Sequence, residues 1–501
     1  MRNSITRPTA GLFLGPLLFA LILLMPLPGG MPAPALKMAA VVSLMAVWWS
    51  TEATPIAATA LLPIVLLPML GVMSTAQTTL SYANHLIYLF MGGFLIAVTI
   101  QKWQLHRRIA MHTIRLVGIS PNRVILGFMV ATAFLSMWIS NTATTMMMLP
   151  IGLAVISQLN ALYRDQPGAV DNLQHDRHFG IALMLGIAYS ASIGGVATLI
   201  GTPPNAILAG MAEQTYGLSI SFVDWMIFGL PLSLLMLAGT WFYLTRLAFP
   251  VRITALPGAK QLINQELAQL GPISRQERSV LAVFLSVSAA WIVRGLVDIP
   301  ALEMVSDASI AMAGALLLFI IPADFSKREF LLDWKTAVGI PWEIIILFGG
   351  GFALAQGFAE SGLSQWIADQ LTILAGVPLL ILIAAVTLVV IFLTEVTSNT
   401  ATATIMIPVM GALAIAMGIH PYTLMVPAAI AASYAFMLPV ATPPNAIVFS
   451  SKYISIPQMV KAGFWLNLVS AVLISLFVLF GLPLIWELAP AELAETVINR
   501  S

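Results

Sequence analysis

The chain of 501 residues contains no cysteine. Disulfides, thiolate nucleophiles and Cys-based metal sites are therefore excluded. Charge is equally scarce: 9% of the residues are Asp, Glu, Lys or Arg, and the net charge is +1. A nucleic-acid binder would need a basic surface, and a disordered chain would need low hydrophobicity. Neither fits a chain that is 59% hydrophobic. A soluble enzyme of this size could not cover that much apolar surface with so few charges. Histidine is also rare, with six residues. Four of them (His106, His112, His175 and His178) lie in polar stretches, and no two are spaced i,i+4. A metal site and a membrane-embedded enzyme are both disfavoured, because neither ligand clusters nor nucleophile–base pairs stand out.

What is abundant is the apolar run. Runs fall at 11–25, 37–72 (two spans), 85–101, 121–158, 179–212, 221–249, 279–298, 303–322, 338–358, 377–415, 422–449 and 460–487. Runs of about 20 residues span a bilayer as helices. The first is read as a retained span rather than a signal peptide, since further spans follow it. The long runs contain Pro or polar breaks, so 121–158 and 377–415 are read as hairpins that enter and leave on one side. With the N-terminus in the cytoplasm, every Lys and Arg except Lys37, Arg294 and Arg500 then falls on the cytoplasmic side, as the positive-inside rule requires. The expected fold is an all-α integral membrane protein, and its expected place is a bacterial cytoplasmic (inner) membrane.

The chain repeats itself. Ser140-Asn141-Thr142-Ala143-Thr144 returns as Ser398-Asn399-Thr400-Ala401-Thr402, and Leu89-Phe90-Met91-Gly92-Gly93 as Leu347-Phe348-Gly349-Gly350-Gly351, both at an offset of 258. Thr202-Pro203-Pro204-Asn205-Ala206-Ile207 returns as Thr442-Pro443-Pro444-Asn445-Ala446-Ile447 at 240, the difference being a polar insertion, Tyr163–His178. Lys102, Arg107, Arg108, Arg115 and Arg123 have Glu360, Gln365, Trp366, Ile373 and Ile381 as counterparts. Related sequence with opposite charge bias predicts opposite orientation in the membrane, and inverted repeats with broken helices are a transporter signature.

Each Ser-Asn-Thr lies mid-run, where a polar side chain needs a partner or water. It can cap the following helix, and the N–H groups freed there can also hold an anion. Each Thr-Pro-Pro-Asn interrupts a helix. Proline removes donors, and the carbonyls left unpaired in lipid are costly. The motif is thus either a packing kink or a site where a small hard cation such as sodium meets carbonyl oxygens. No Lys or Arg lies in any of the four motifs. An anion bound there would take its charge balance from helix ends and from co-bound cations.

At these residues the chain resembles the divalent anion:sodium symporter family. The doubled motifs carry the likeness, with support from Trp48-Trp49-Ser50-Thr51-Glu52-Ala53-Thr54-Pro55 and His106-Arg107-Arg108. The resemblance implies a homodimeric inverted-repeat transporter of about eleven transmembrane helices and two re-entrant hairpins per subunit, working as an elevator. Scaffold parts would span 1–118 (with a cytoplasmic arm helix) and 279–376, and transport parts 119–249 and 377–490. A cytoplasmic linker at 250–278 and a tail at 491–501 complete the division. The first sodium site would use Ser136, Ser140, Asn141 and Gly201. The second would use Thr394, Thr397 (through its carbonyl), Ser398, Asn399 and Ala441. Substrate carboxylates would meet Asn141, Thr142, Asn399 and Thr400, with Thr202, Pro203, Thr442 and Pro443 nearby. The implied activity is import of C4-dicarboxylates (succinate, fumarate, malate) with Na+, and no organic cofactor. Citrate or sulfate symport and sodium-independent dicarboxylate exchange are the alternatives. Exchanger relatives tend to carry a basic residue where this chain has Thr144, which favours symport. A channel would not need two occluding hairpins. The expected partners are the dicarboxylate and membrane lipid, with no nucleic acid. Glu52, Arg294, Glu343 and Glu395 are charges in or near apolar runs. Glu395, beside the second sodium site, is open to a supporting, proton-sensing or merely structural role.

Overall fold

A computed structural model describes residues 6–118, 120–163, 169–251, 259–297, 304–371 and 376–486. The tail at 491–501 and residues 164–168 of the polar insertion, Arg164 among them, lie outside them. The first half opens with α1 (Arg7–Leu24), α2 (Ala33–Thr51), α3 (Ile56–Ala60), α4 (Leu62–Met69) and α5 (Thr75–Ser81). It continues with α6 (His85–Lys102), α7 (Leu105–Val117), α8 (Pro121–Ser136), α9 (Asn141–Tyr163), α10 (Ala169–Val196), α11 (Pro203–Tyr216) and α12 (Phe222–Phe242), the last extended by a π-helical turn, Tyr243–Ala248. Then come α13 (Ala259–Gln269), α14 (Arg275–Leu296), α15 (Asp307–Ile320), a two-stranded hairpin of β1 (Pro322–Asp324) and β2 (Glu329–Phe330), and α16 (Trp334–Ala337). The second half runs through α17 (Trp342–Glu360), α18 (Leu363–Leu371), α19 (Leu379–Thr394), α20 (Asn399–Ala416), α21 (Tyr422–Ser433), α22 (Pro443–Phe449) and α23 (Ile456–Ile485).

Nine helices among the described residues are long and apolar enough to cross a bilayer. Their outer faces are apolar too: Trp465, Val469, Val472, Leu476 and Phe480 form an exposed stripe along α23. In water such a stripe would be a liability, whereas lipid solvates it. At the opposite extreme, the apolar part of α10 is wholly buried, packed between α8, α9, α12 and α22.

Both long runs fold as predicted, with α8–α9 and α19–α20 each joined by a short turn. The second span expected in 37–72 is instead two short pieces, α3 and α4, because Pro55 and Pro63 each start a new helix where a missing N–H costs nothing. The repeat is visible in space. Phe90 and Phe348, counterparts at 258, meet edge-on with centroids 4.9 Å apart. A residue that touches its own counterpart marks a two-fold relation. The Gly motif has one role in both halves: a Cβ on Gly92 would lie 2.6 Å from the backbone of Ala311 on α15, and one on Gly350 2.4 Å from the Ala60 carbonyl oxygen. Each glycine lets a neighbouring backbone pack against α6 or α17.

The basic residues at the end of α6 and the start of α7 are held in ion pairs. Lys102 pairs with Asp333 at 2.6 Å, Arg107 with Glu266, and Arg108 with Glu277 at 2.7 Å. The Lys102 ammonium, with the Thr336 N–H, holds the Asp333 carboxyl at about 2. Of the charges flagged in apolar runs, Glu52 is an exposed left-handed helix cap, and Arg294 bonds Asp307 at 2.9 Å.

Candidate functional site

The site grows from two helix–turn–helix tips. After Ser136 the chain turns through Met137–Ser140 and restarts as α9. Ser140 caps that restart: its Oγ accepts from the Ala143 N–H at 3.3 Å and its carbonyl from the Thr144 N–H at 3.0 Å. The second tip repeats the turn with less capping, since the Ser398 carbonyl accepts from the Thr402 N–H at 2.9 Å while its side chain makes no cap bond. Capping therefore explains Ser140 but not the Ser398 hydroxyl.

The asparagine after each serine is held by a hydroxyl one turn back. Ser136 Oγ donates to Asn141 Oδ1 at 2.5 Å. In the other half Thr394 Oγ1 stands 2.8 Å from Asn399 Oδ1 and 3.0 Å from the Ala432 carbonyl oxygen. One hydroxyl proton cannot serve two oxygens at once, so the second cluster is rich in oxygen and short of protons. The first converges further. A methyl built on Gly195 would lie 2.9 Å from Asn141 Oδ1 and 3.0 Å from the Gly201 carbonyl oxygen, so those two oxygens approach one point. Ser136 and Thr394 are fully buried. Such oxygen-lined pockets without Lys or Arg suit a small hard cation. No grouping of His, Asp and Glu able to hold a metal exists among the described residues.

Several donors are left over. Asn141 and Asn399 Nδ2 and the hydroxyls of Thr142 and Thr400 have no hydrogen-bond partner among the described residues. All four residues are half-buried. They are neutral donors beside the free N–H groups that begin α9 and α20. Thr397 is different, because its hydroxyl is engaged by the Leu393 carbonyl at 2.8 Å and Thr402 Oγ1 at 2.6 Å, leaving only its carbonyl.

Thr-Pro-Pro-Asn requires a correction. The prolines do not break α10 and α21, which have already ended at Val196 and Ser433. Pro203 and Pro443 begin α11 and α22 at the first helical position, with Thr202 and Thr442 as N-caps. The carbonyls exposed by the break are served mainly by the motif's own asparagine, not by a cation alone. Asn205 Nδ2 donates to Gly195 O, Val196 O and Thr198 O at 3.2, 3.3 and 2.8 Å. Asn445 Nδ2 donates to Ala435 O and Leu438 O, both at 3.0 Å. These two asparagines were in the repeated motif, but their role was not read from it. The matched offset was the signal, since Gly195 and Ala435, and Thr198 and Leu438, are also 240 apart.

The halves interlock: α9 packs on α22, and α11 on α20. Beside the first tip lies a cavity of about 530 Å³ lined by Phe94, Val98 and Gln101 of α6, by Ser140 and Ala143, and by Gly339–Glu343. Glu343 is thus exposed to this cavity and not buried in a span.

Residues 8–487 match the family described as the sodium:sulfate symporter transmembrane region. The chain is 46% identical over 478 residues to the "Sodium-dependent dicarboxylate transporter SdcS" of Staphylococcus saprophyticus, covering 94% of this chain and 91% of that one. The protein of that name in Staphylococcus aureus is 47% identical over 95% and 91%. Two solved transporters share the fold at 12% identity. They are YdaH of Alcanivorax borkumensis (TM-score 0.57, covering 90% of this chain and 100% of that one) and MtrF of Neisseria gonorrhoeae (0.56, 94% and 97%). The matched family, its doubled motifs and the inverted halves agree: the chain belongs to the sodium:sulfate symporters, the divalent anion:sodium symporter family, and is a membrane transporter, not an enzyme.

Proposed function

We propose that this protein imports C4-dicarboxylates such as succinate, fumarate and malate together with sodium. The observation that carries the reading is the division of labour at each tip. The Asn141 and Asn399 carboxamide oxygens face buried hydroxyls, while the amide nitrogens and the Thr142 and Thr400 hydroxyls stay unspent. Sodium would take the oxygens of Ser136, Asn141 and Gly201, with the Ser140 carbonyl, in the first half. In the second it would take Thr394 and Asn399 with the carbonyls of Thr397, Ser398 and Ala441. The dianion would take the leftover donors, with Thr202, Pro203, Thr442 and Pro443 closing the space. Two sodium ions balance a dianion, and each further one carries net charge worth about 2.3 kcal/mol per 100 mV. The staphylococcal relatives' names support both the sodium and the dicarboxylate.

The same reading makes the protein an elevator in a homodimer in the bacterial inner membrane, with the N-terminus cytoplasmic. The cavity reaching Ser140 lies at the Gln101 end of α6, next to the Lys102–Asp333 ion pair. At the other end of α6, Glu213 stands 3.6 Å from His85, and Gln214 Nε2 donates to Ser81 Oγ at 3.2 Å and Gln356 Oε1 at 3.1 Å. These features support a state open toward the cytoplasm and closed outside.

Labelled succinate uptake into proteoliposomes, with sodium or potassium outside, tests the function. Uptake driven by sodium and competed by fumarate and malate is expected. Uptake indifferent to sodium would leave the exchange alternative, and competition by citrate or sulfate alone would leave the other two.

A further inference from the structure

Gly201 and Ala441 stand at the end of the same chain of contacts in the two halves. In the first, the Thr198 carbonyl accepts from Asn205 Nδ2 at 2.8 Å and from the Gly201 N–H at 3.3 Å. In the second, the Leu438 carbonyl accepts from Asn445 Nδ2 at 3.0 Å and from the Ala441 N–H at 3.2 Å. The residue one turn before each sodium carbonyl is therefore the pivot that sets where that carbonyl points.

Each pivot is tied to its own hairpin tip, by opposite chemistry. Thr198 uses its side chain: Oγ1 donates to the Met137 carbonyl at 2.5 Å. Leu438 has no such group. There the tip supplies the side chain, because the counterpart of Met137 at 258 is Glu395. Its Oε2 accepts from the Leu438 N–H at 3.0 Å. Its Oε1 accepts from the N–H groups of Phe436 and Met437 at 2.7 and 2.8 Å and from Asn467 Nδ2 at 2.7 Å. Glu395 is 2% exposed, and all four of its neighbours are donors. A carboxylate so placed organises a stretch of irregular backbone that lipid would otherwise penalise.

We propose that Glu395 is the positioning residue of the second sodium site: it locks Leu438, and through Leu438 the Ala441 carbonyl, against the tip that carries Thr394 and Asn399. Thr198 does the same for Gly201 in the first. The proposal rests on the sodium-site reading above and deepens it. It also distinguishes the two sites. The second is fixed by four donors on one carboxylate, the first by one hydroxyl.

Glu395→Gln tests it. The amide can keep the three Oε1 contacts, but it sets an NH2 group against the Leu438 N–H. Two opposed donors in a buried place cost about 1–3 kcal/mol, which corresponds to a factor of roughly 5 to 150. The sodium concentration giving half-maximal succinate uptake is expected to rise at least about fivefold on this basis. The thermal stabilisation that sodium gives the purified protein should shrink with it. A purely structural glutamate would lower the melting temperature equally in sodium and in choline and leave the sodium dependence in place; that result overturns the proposal. Thr394→Ala separates the two levels of the argument. If it weakens sodium activation and Glu395→Gln does not, the positioning role fails while the sodium site stands. If Thr394→Ala has no effect on sodium activation, the site itself is misassigned. Should the glutamine variant not fold, Glu395→Asp, one methylene short of Leu438, is read by the same criterion.

Discussion

Gly201→Ala adds one methyl group at the point where the proposed first sodium site is tightest. Its Cβ would fall 2.4 Å from the Gly195 carbonyl oxygen, 2.9 Å from Gly195 Cα and 3.0 Å from its carbonyl carbon, where ordinary contact begins at 3.4 Å. About 1 Å of overlap must be absorbed, and every atom met is backbone. Gly195 cannot simply retreat, because its carbonyl is held by Asn205 Nδ2 at 3.2 Å. The strain is relieved most easily by moving the Gly201 carbonyl away from the proposed sodium position. Overpacking of this kind costs about 1–3 kcal/mol. If the bound state bears all of it, half-saturation by sodium rises roughly 5- to 150-fold. The assay is succinate uptake against external sodium, beside a size-exclusion profile to show that the variant is folded. A folded variant with an unaltered sodium curve would refute the geometry. Ala441→Gly is the mirror control and should change the curve little, because the second loop, 434–442, already accommodates a side chain there.

Asn141→Ala or Asn399→Ala should abolish uptake in a folded protein, since each removes a carboxamide oxygen and a donor together; normal transport by either would count against the shared site. Thr142→Ala and Thr400→Ala each remove a donor to a charged ligand, worth about 1.5–3 kcal/mol, and should raise the succinate KM more than the sodium requirement. An effect on sodium alone would reverse those roles. The chain has no cysteine of its own, so Ser81→Cys with Gln214→Cys gives a clean cross-linking pair across the contact between α5 and α11. A short bis-thiol reagent should stop turnover there, and uptake that continues after cross-linking would argue against a moving transport part.

The spans, the two hairpins and the repeat were legible because lipid imposes a coarse rule, an apolar run of fixed length, and because three motifs recur at matched offsets in the two halves. Ser136 with Asn141, and Thr394 with Asn399, were grouped through the family resemblance, and each pair is five residues apart across one turn. The position of the helix breaks could not. Proline drew attention to 203 and 443, yet α10 ends where Gly194 lets the Ala133 backbone approach, with a would-be Cβ 2.2 Å from Ala133 O. That close approach depends on tertiary packing with α8. The partners of Asn205, Asn445 and Glu395 were hidden for the same reason. Their targets are backbone groups of irregular segments, and no residue type advertises a free N–H or carbonyl. Short helices such as α5 and α18 carry too few residues for apolar periodicity to register.

The central claim is that a dianion sits between mirror-related tips with sodium, not with lysine or arginine, as its counter-charge. A high-resolution density map of the protein with sodium and succinate measures it directly. The account predicts ligand density touching Asn141, Thr142, Asn399 and Thr400, with cation density at the Ser136–Asn141 and Thr394–Asn399 oxygens. Succinate density resting on a basic side chain, or the two tips both empty of it, would contradict the account.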